Sequence, residues 1–166
     1  MTKVALFPGS FDPFTVGHEE IVRRGLVIFD KIIIAVGINS AKKEFLNIEN
    51  RLKIIEKSFK EEKRVKIIPY EGLTINLCKE QGVNVIIRGL RTAADFEYER
   101  AVGQANKALN KKIETVFILT SPEHTFVSSS IVRNIYENMG DITKFLSTGI
   151  TTEVITNLLK QQSLKQ

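Results

Sequence analysis

The chain has one cysteine, two histidines and no apolar run approaching the roughly 18 residues that span a bilayer. Each shortage excludes something. Cys78 alone makes no intrachain disulfide, which suits a reducing cytoplasm, and its helical surroundings read as core. Cys78, His18 and His124 are too scattered for a zinc site, and no direct metal ligand is identified. Met1-Thr2-Lys3 runs straight into an apolar segment and lacks the layout of a secretory leader. No G-x-x-x-x-G-K-[ST], G-x-S-x-G or G-x-G-x-x-G occurs, which argues against a Walker-type NTPase, an α/β-hydrolase and a dinucleotide-binding domain. An Arg-rich arm is also missing. The 24 basic and 19 acidic residues leave a net charge of +5, but the basic residues are scattered in short pairs such as Lys42-Lys43. Small anionic ligands are therefore expected, with neither nucleic acid nor membrane as partner.

What is present is ordinary globular material: 43% apolar and 26% charged residues over 166 positions, enough for one domain across residues 1–166. Short apolar runs at 4–7, 32–38, 65–68, 83–87 and 115–119 read as strands buried on both faces. Helical patterns separate them at 18–29, after an Asn47 N-cap, at 73–81 ahead of Gly82, at 95–109 and at 128–138. Short helices at 142–146 and 152–160 follow, with a polar, frayed tail at 161–166. Repeated strand–helix alternation predicts an α/β fold: a doubly wound, Rossmann-like, five-stranded parallel sheet of order 3-2-1-4-5, with C-terminal helices. Its switch point, between strands 1 and 4, is where such sheets bind ligands.

Three segments converge on that point. Pro8-Gly9-Ser10-Phe11-Asp12-Pro13-Phe14-Thr15-Val16-Gly17-His18 links strand 1 to helix 1. Glycine, hydroxyls and a histidine at a helix start offer N–H donors to phosphate, although the same residues also make a plain tight turn. Arg88-Gly89-Leu90-Arg91 closes strand 4, where two guanidinium groups can fork onto phosphate oxygens or pair with Asp95, Glu97 and Glu99. Ser128, Ser129 and Ser130 open helix 5. One of them serves as N-cap, and the others suggest an anion nest. Lys42 and Lys43 are a solvated pair unless a phosphate lies beside them. His124 reads as a loop residue near the nucleotide and not as a base.

The first and last of these segments resemble the T-x-G-H and serine-rich motifs of the nucleotidyltransferase superfamily. The run from Ile87 through Arg88-Gly89-Leu90-Arg91 to Ala94-Asp95-Phe96-Glu97-Tyr98-Glu99 narrows the resemblance to the bacterial phosphopantetheine adenylyltransferases, over about residues 3 to 160. That resemblance implies reversible adenylyl transfer from ATP to 4′-phosphopantetheine, giving dephospho-CoA and pyrophosphate, with Mg²⁺. It further implies a homohexamer built as a dimer of trimers, and CoA as feedback inhibitor. It places Ser10, Phe11, His18, Gly89, Leu90, Arg91, Glu99, His124, Thr125, Phe126, Val127, Ser128, Ser129 and Ser130 on ATP. Ser10, Lys42, Thr74 and Arg88 fall on the phosphopantetheine. His18, Lys42, Arg88 and Arg91 carry the catalysis, with His18 stabilising the transition state. Four positions depart from the family pattern: Ser10 stands where threonine is also common but keeps the hydroxyl, Val16 is unusual at the free position of the T-x-G-H motif, Thr74 stands where an apolar residue is frequent, and His124 where a tryptophan or tyrosine is usual. Rival readings are a transferase for another phosphorylated acceptor, such as nicotinamide mononucleotide or glycerol phosphate, a non-catalytic nucleotide sensor, and a nucleic-acid module.

Overall fold

The computed structural model describes residues 2–39 and 43–164. Five parallel strands, β1 (Val4–Gly9), β2 (Lys31–Gly37), β3 (Val65–Tyr70), β4 (Val85–Leu90) and β5 (Glu114–Leu119), pair in the order β3-β2-β1-β4-β5. This is the expected order, with β1 central and β3 and β5 at the edges. β2 shows why: Ile32, Ile33, Ile34, Ala35 and Val36 are all buried, so both faces need cover. Alternate residues serve opposite cores. Ala5, Phe7, Ile32, Ile34, Val36, Ile87 and Ile118 join one cluster, while Leu6, Ile33, Ala35 and Ile86 join the other.

Helices α1 (Val16–Ile28), α2 (Ile48–Ser58), α5 (Ser129–Glu137) and α6 (Thr152–Ser163) fill the first core through Ile21, Val22, Leu26, Ile54, Ile55, Val132 and Ile155. The smaller second core is closed by α3 (Thr74–Gln81) with Ile75, Leu77 and Cys78. Helix α4 (Ala93–Leu109) is different, because none of its 17 residues is buried. Two glycines set the seat of α1. A Cβ on Gly25 would stand 2.7 Å from Ile32 Cδ1, and one on Gly89 would stand 2.8 Å from Ile21 Cγ1. The close approach carries the first turn of α1 to the carboxyl ends of β1 and β4.

Most element boundaries differ from expectation by one or two residues, with β1 running to Gly9, β3 to Tyr70, and α1 and α4 beginning at Val16 and Ala93, and three further differences have a clear physical reason. β4 begins two residues later and runs on through Arg88, Gly89 and Leu90, which pair with Phe117, Ile118 and Leu119. Ladder bonds are made by backbone and ignore the charge on Arg88. The short helix expected at 142–146 is a 3₁₀ turn, Thr143–Phe145. Helix α6 continues past 160 to Ser163 because the Gln162 carboxamide accepts from Asn47 N at 2.8 Å and Asn50 Nδ2 at 3.3 Å.

Candidate active site

The loop after β1 and the start of α1 are held by a reciprocal cap. Thr15 is the N-cap, and its hydroxyl accepts from His18 N at 3.4 Å. Thr15 N donates in return to His18 Nδ1 at 3.0 Å. Histidine thus fills the place that glutamate takes in an ordinary capping box. The T-x-G-H spacing is the spacing of that box. With Nδ1 used as an acceptor, the neutral ring carries its proton on Nε2, leaving one N–H donor for a ligand. Gly17 lies between the two, where an added Cβ would make only an ordinary contact, 3.8 Å from the Thr15 hydroxyl.

The His18 ring sits among phenylalanines, with centroids 5.1 Å from Phe11, 5.4 Å from Phe14 and 6.4 Å from Phe7. Burial in this aromatic setting, followed by the charges of Arg91 and Arg88, lowers its pKa from 6.5 to about 3. His18 is therefore a neutral donor across the physiological range. Phe11 adopts a left-handed backbone (φ 49°), and its ring lies where a side chain on Gly9 would go, 2.7 Å from the built Cβ. Such a conformation is costly for a bulky residue and persists because the surroundings fix it. The Asp12 carboxylate accepts from Phe45 N and Leu46 N, both at 2.8 Å, and ties this loop to the segment after β2.

The arginines of β4 are positioned by carboxylates on α4. Arg88 pairs bidentately with Glu99, Nε to Oε2 at 2.7 Å and Nη2 to Oε1 at 2.6 Å, and donates through Nη1 to Pro8 O. Arg91 pairs with Asp95 through Nε at 2.9 Å and Nη2 at 3.0 Å, and reaches Val127 O at 3.2 Å. Burial would raise the Asp95 carboxyl, but hydrogen bonds and charge from Arg91, with a further backbone bond at Thr92, hold it below its usual value. Glu97 takes Arg100 instead, at 2.8 Å. Each β4 arginine keeps N–H donors beyond those bonded, so the carboxylates aim the forks without exhausting them.

The three serines have three separate jobs. Ser128 is the N-cap of α5 and accepts from Ile131 N at 3.2 Å. Ser129 Oγ donates to Pro13 O at 2.9 Å, and Ser130 Oγ accepts from Arg133 Nη2 at 3.3 Å. Arg133 also donates to Asp12 O, so the start of α5 is stitched to the first loop.

These elements enclose two cavities. The first, about 310 Å³, is bounded by the first loop, His18, Arg88, Gly89, Arg91 and the segment from Val127 to Ser130. The second, about 560 Å³, lies between Gly37, Tyr70, Thr74 and the Tyr98–Val102–Asn106 face of α4. Pro8, Gly9, Ser10, Arg88 and Glu99 line both. The two cavities therefore adjoin along a wall that includes Ser10 and Arg88.

Most sequence-selected residues come together here. Ser10, Phe11, His18, Gly89, Arg91, Glu99, Val127, Ser128, Ser129 and Ser130 line the first cavity, and Ser10, Thr74 and Arg88 line the second. Lys42 lies outside the described residues. Four others stand off the walls. Leu90 is buried in β4. The His124 Nδ1 is held 2.8 Å from Glu20 Oε2, Thr125 Oγ1 donates to Pro122 O at 2.9 Å, and the Phe126 ring packs edge-on to Phe145 at 6.1 Å. Residues that sequence reading missed include Tyr70, Tyr98, Val102 and Asn106 of the second cavity. Tyr98 sat inside the quoted aromatic–acidic run, and the spacing of 98, 102 and 106 is one helix face. Among the described residues no group of three or more His, Cys, Asp or Glu could hold a metal ion.

Comparison with known proteins agrees with this geometry. A family model described as cytidylyltransferase-like matches residues 6–135. The phosphopantetheine adenylyltransferase of Flavobacterium psychrophilum is 52% identical over 137 residues, covering 82% of this chain and 90% of that protein. That of Cytophaga hutchinsonii is 49% identical over 146 residues (88% and 97%), and that of Helicobacter pylori 44% over 141 residues (85% and 90%). A solved structure from Vibrio parahaemolyticus, provisionally named a nicotinate-nucleotide adenylyltransferase, superimposes with a TM-score of 0.68. It is 20% identical, covers 96% of this chain and 99% of its own, and speaks to the fold alone. With a family model across most of its length and relatives this similar along it, the chain belongs to the phosphopantetheine adenylyltransferase family of cytidylyltransferase-like proteins.

Proposed function

We propose that this chain reversibly transfers the adenylyl group of ATP to 4′-phosphopantetheine, releasing pyrophosphate and forming dephospho-CoA. The observation that carries the proposal is the pair of cavities sharing Ser10, Arg88 and Glu99. Two phosphorylated compounds seated there meet phosphate to phosphate.

The chemistry needs little from the protein beyond position and charge. The second pKa of a phosphomonoester is near 6, so at pH 7 the acceptor is mostly dianionic and has no proton to surrender. Its oxygen attacks the α-phosphorus, the bond to the β-phosphate oxygen breaks, and pyrophosphate leaves with the electron pair. No general base is required. The obstacle is repulsion between two anions, met by aligned donors and cations. Neutral His18 donates Nε2–H to an α-phosphate oxygen as charge builds. Arg88, on the shared wall, and Lys42 meet the incoming phosphate. Arg91 and the backbone N–H groups opening α5 hold the β- and γ-phosphates. The second cavity takes the pantetheine arm along Thr74 and the α4 face.

Mg²⁺ enters this proposal from the family. Asp95 and Glu99 are engaged by arginines, so the walls do not offer an oxygen cage, and a cation there would ride on phosphate and water oxygens. It would shield the phosphates from one another, and no step above depends on it. We further propose self-assembly into a homohexamer through surfaces that include α4, whose Phe96 and Leu109 are exposed and line neither cavity. Inhibition by CoA through the acceptor cavity and a cytoplasmic setting complete the reading. No described helix is long and apolar enough to cross a membrane.

The test is a coupled pyrophosphate assay with ATP and 4′-phosphopantetheine, with and without Mg²⁺. Nicotinamide mononucleotide and glycerol phosphate are offered in parallel. Release with the first acceptor only is expected. Release with one of the others, or with none, would replace this reading by a different transferase or by a nucleotide sensor.

A further inference from the structure

Arg51 is the most buried charged side chain near the site, 2% exposed, yet it lines neither cavity. Its partners explain its place. Nη1 donates to Ser10 O and to Gly37 O, each at 2.9 Å, and Nη2 pairs with Glu44. The β1–β2 ladder ends at the Gly9–Val36 pair. The two carbonyls are the next ones past that end, so Arg51 continues by side chain the cross-links that the backbone no longer makes. Ser10 is on the wall common to both cavities, and Gly37 is on the wall of the second. Glu44 belongs to the segment whose next two N–H groups are taken by Asp12. The loops after β1 and β2 are thus joined by Arg51 from α2 and by Asp12 from the first loop.

The same site is costly as plain core. Arg51 Nε is buried without a hydrogen-bond partner among the described residues, and an apolar side chain would fill the volume without a charge to desolvate. What an apolar residue lacks is a planar fork that bridges two carbonyls and a carboxylate.

We propose that Arg51 is a positioning residue for the reaction: it fixes the separation of the loops after β1 and β2, and so the seat of the acceptor phosphate against ATP. It rests on the reading of the site given above and adds to that reading the part that sets its alignment. Misplacement of reacting groups by about 1 Å costs on the order of 100-fold in rate. A lysine at 51 keeps the charge but not the fork.

The test uses the full chain as Arg51→Lys and as the milder Glu44→Gln, whose carboxylate is partly exposed. Three readouts are taken: acceptor kcat/KM from pyrophosphate release, ATP Kd by calorimetry, and amide hydrogen exchange. For Arg51→Lys the expected result is a fall of about 10- to 100-fold in acceptor kcat/KM, ATP Kd within about twofold, and faster exchange confined to residues 9–12 and 36–39. Glu44→Gln should move the same quantities in the same direction by about threefold, through loss of one charge-assisted bond. Acceptor kcat/KM within twofold of the parent in a folded Arg51→Lys, or in Glu44→Gln should the lysine variant not fold, would overturn the proposal. Loss of both ATP binding and acceptor turnover in equal measure would overturn it too, because that marks general loosening. A parent protein that fails to turn over 4′-phosphopantetheine would remove the proposed function. The exchange pattern alone would then uphold or refute the clamp.

Discussion

The two cavities that meet at Arg88 are built from different kinds of sequence. The first comes from three compact segments, residues 7–21, 88–99 and 127–130, with only Thr120 outside them. The second shares Pro8, Gly9, Ser10, Arg88 and Glu99 with the first and is otherwise assembled from the ends of β2 and β3, the start of α3, Ile86 of β4, Thr115 near the start of β5, and one face of α4. Phosphate binding is served by backbone N–H groups and short polar side chains at helix starts, and these come in contiguous runs. A long, mostly uncharged arm is served by scattered side chains on a shared surface. The nucleotide side therefore has a motif, and the acceptor side has only a shape.

The contrast can be broken first at His18. His18→Ala should lower kcat by about 100- to 1000-fold, the usual cost of a lost oxyanion donor, with little change in ATP Kd. Unaltered turnover would take His18 out of the transition state and leave it only the capping of α1. Arg88→Ala comes next, because Arg88 belongs to both cavities. Its loss should reduce acceptor kcat/KM by about 10- to 100-fold, mostly through KM, as for a lost charged hydrogen bond. If ATP affinity alone weakened, the two cavities would have to exchange occupants. Smaller effects belong to the second cavity. The Tyr70 and Thr74 hydroxyls are 3.2 Å apart, so one of them donates to the other and a single O–H remains for a ligand. Tyr70→Phe or Thr74→Val should raise acceptor KM by about 2- to 10-fold and leave ATP Kd alone. An equal shift in ATP Kd would mean that the walls do not divide the ligands.

A pH experiment sharpens the same comparison. His18 has its pKa lowered to about 3 in the fold, against 6.5 when unperturbed. Between those values the unfolded chain binds a proton that the folded chain refuses, so its contribution to stability falls as pH drops from 6.5 toward 3. In His18→Gln the decline measured by denaturant melts over that window should be shallower than in the parent. The acid limb of acceptor kcat/KM should instead follow the phosphate, near pH 6. A limb that vanished with His18→Gln while turnover remained would show a titrating histidine.

Legibility in the sequence followed the same division. Strand order was readable because Ile32 to Val36 form an unbroken, fully buried apolar run and the other strands are mostly apolar, although the edge strands β3 and β5 prove only partly buried, and such burial permits few arrangements. His18, Arg88, Arg91 and Ser128 were readable because helix starts and strand ends draw specific residue types. The histidine tautomer was not, since it depends on which N–H meets Nδ1. Arg51 looks like solvated charge on an amphipathic helix, and only the fold shows that its guanidinium lies beneath Ser10 and Gly37. The hydrogen bond between His124 Nδ1 and Glu20, 104 residues away in sequence, was not readable either. Contacts of that span leave no periodic trace.

The most direct measurement of the central claim is a crystal structure with a non-hydrolysable ATP analogue and 4′-phosphopantetheine bound together. The account predicts the α-phosphate beside His18, the β- and γ-phosphates by Arg91 and the start of α5, and the acceptor phosphate at Arg88 with its arm along Thr74 and Tyr98. Either compound lodged away from the carboxyl ends of β1 and β4, or the two seated in exchanged cavities, would contradict it.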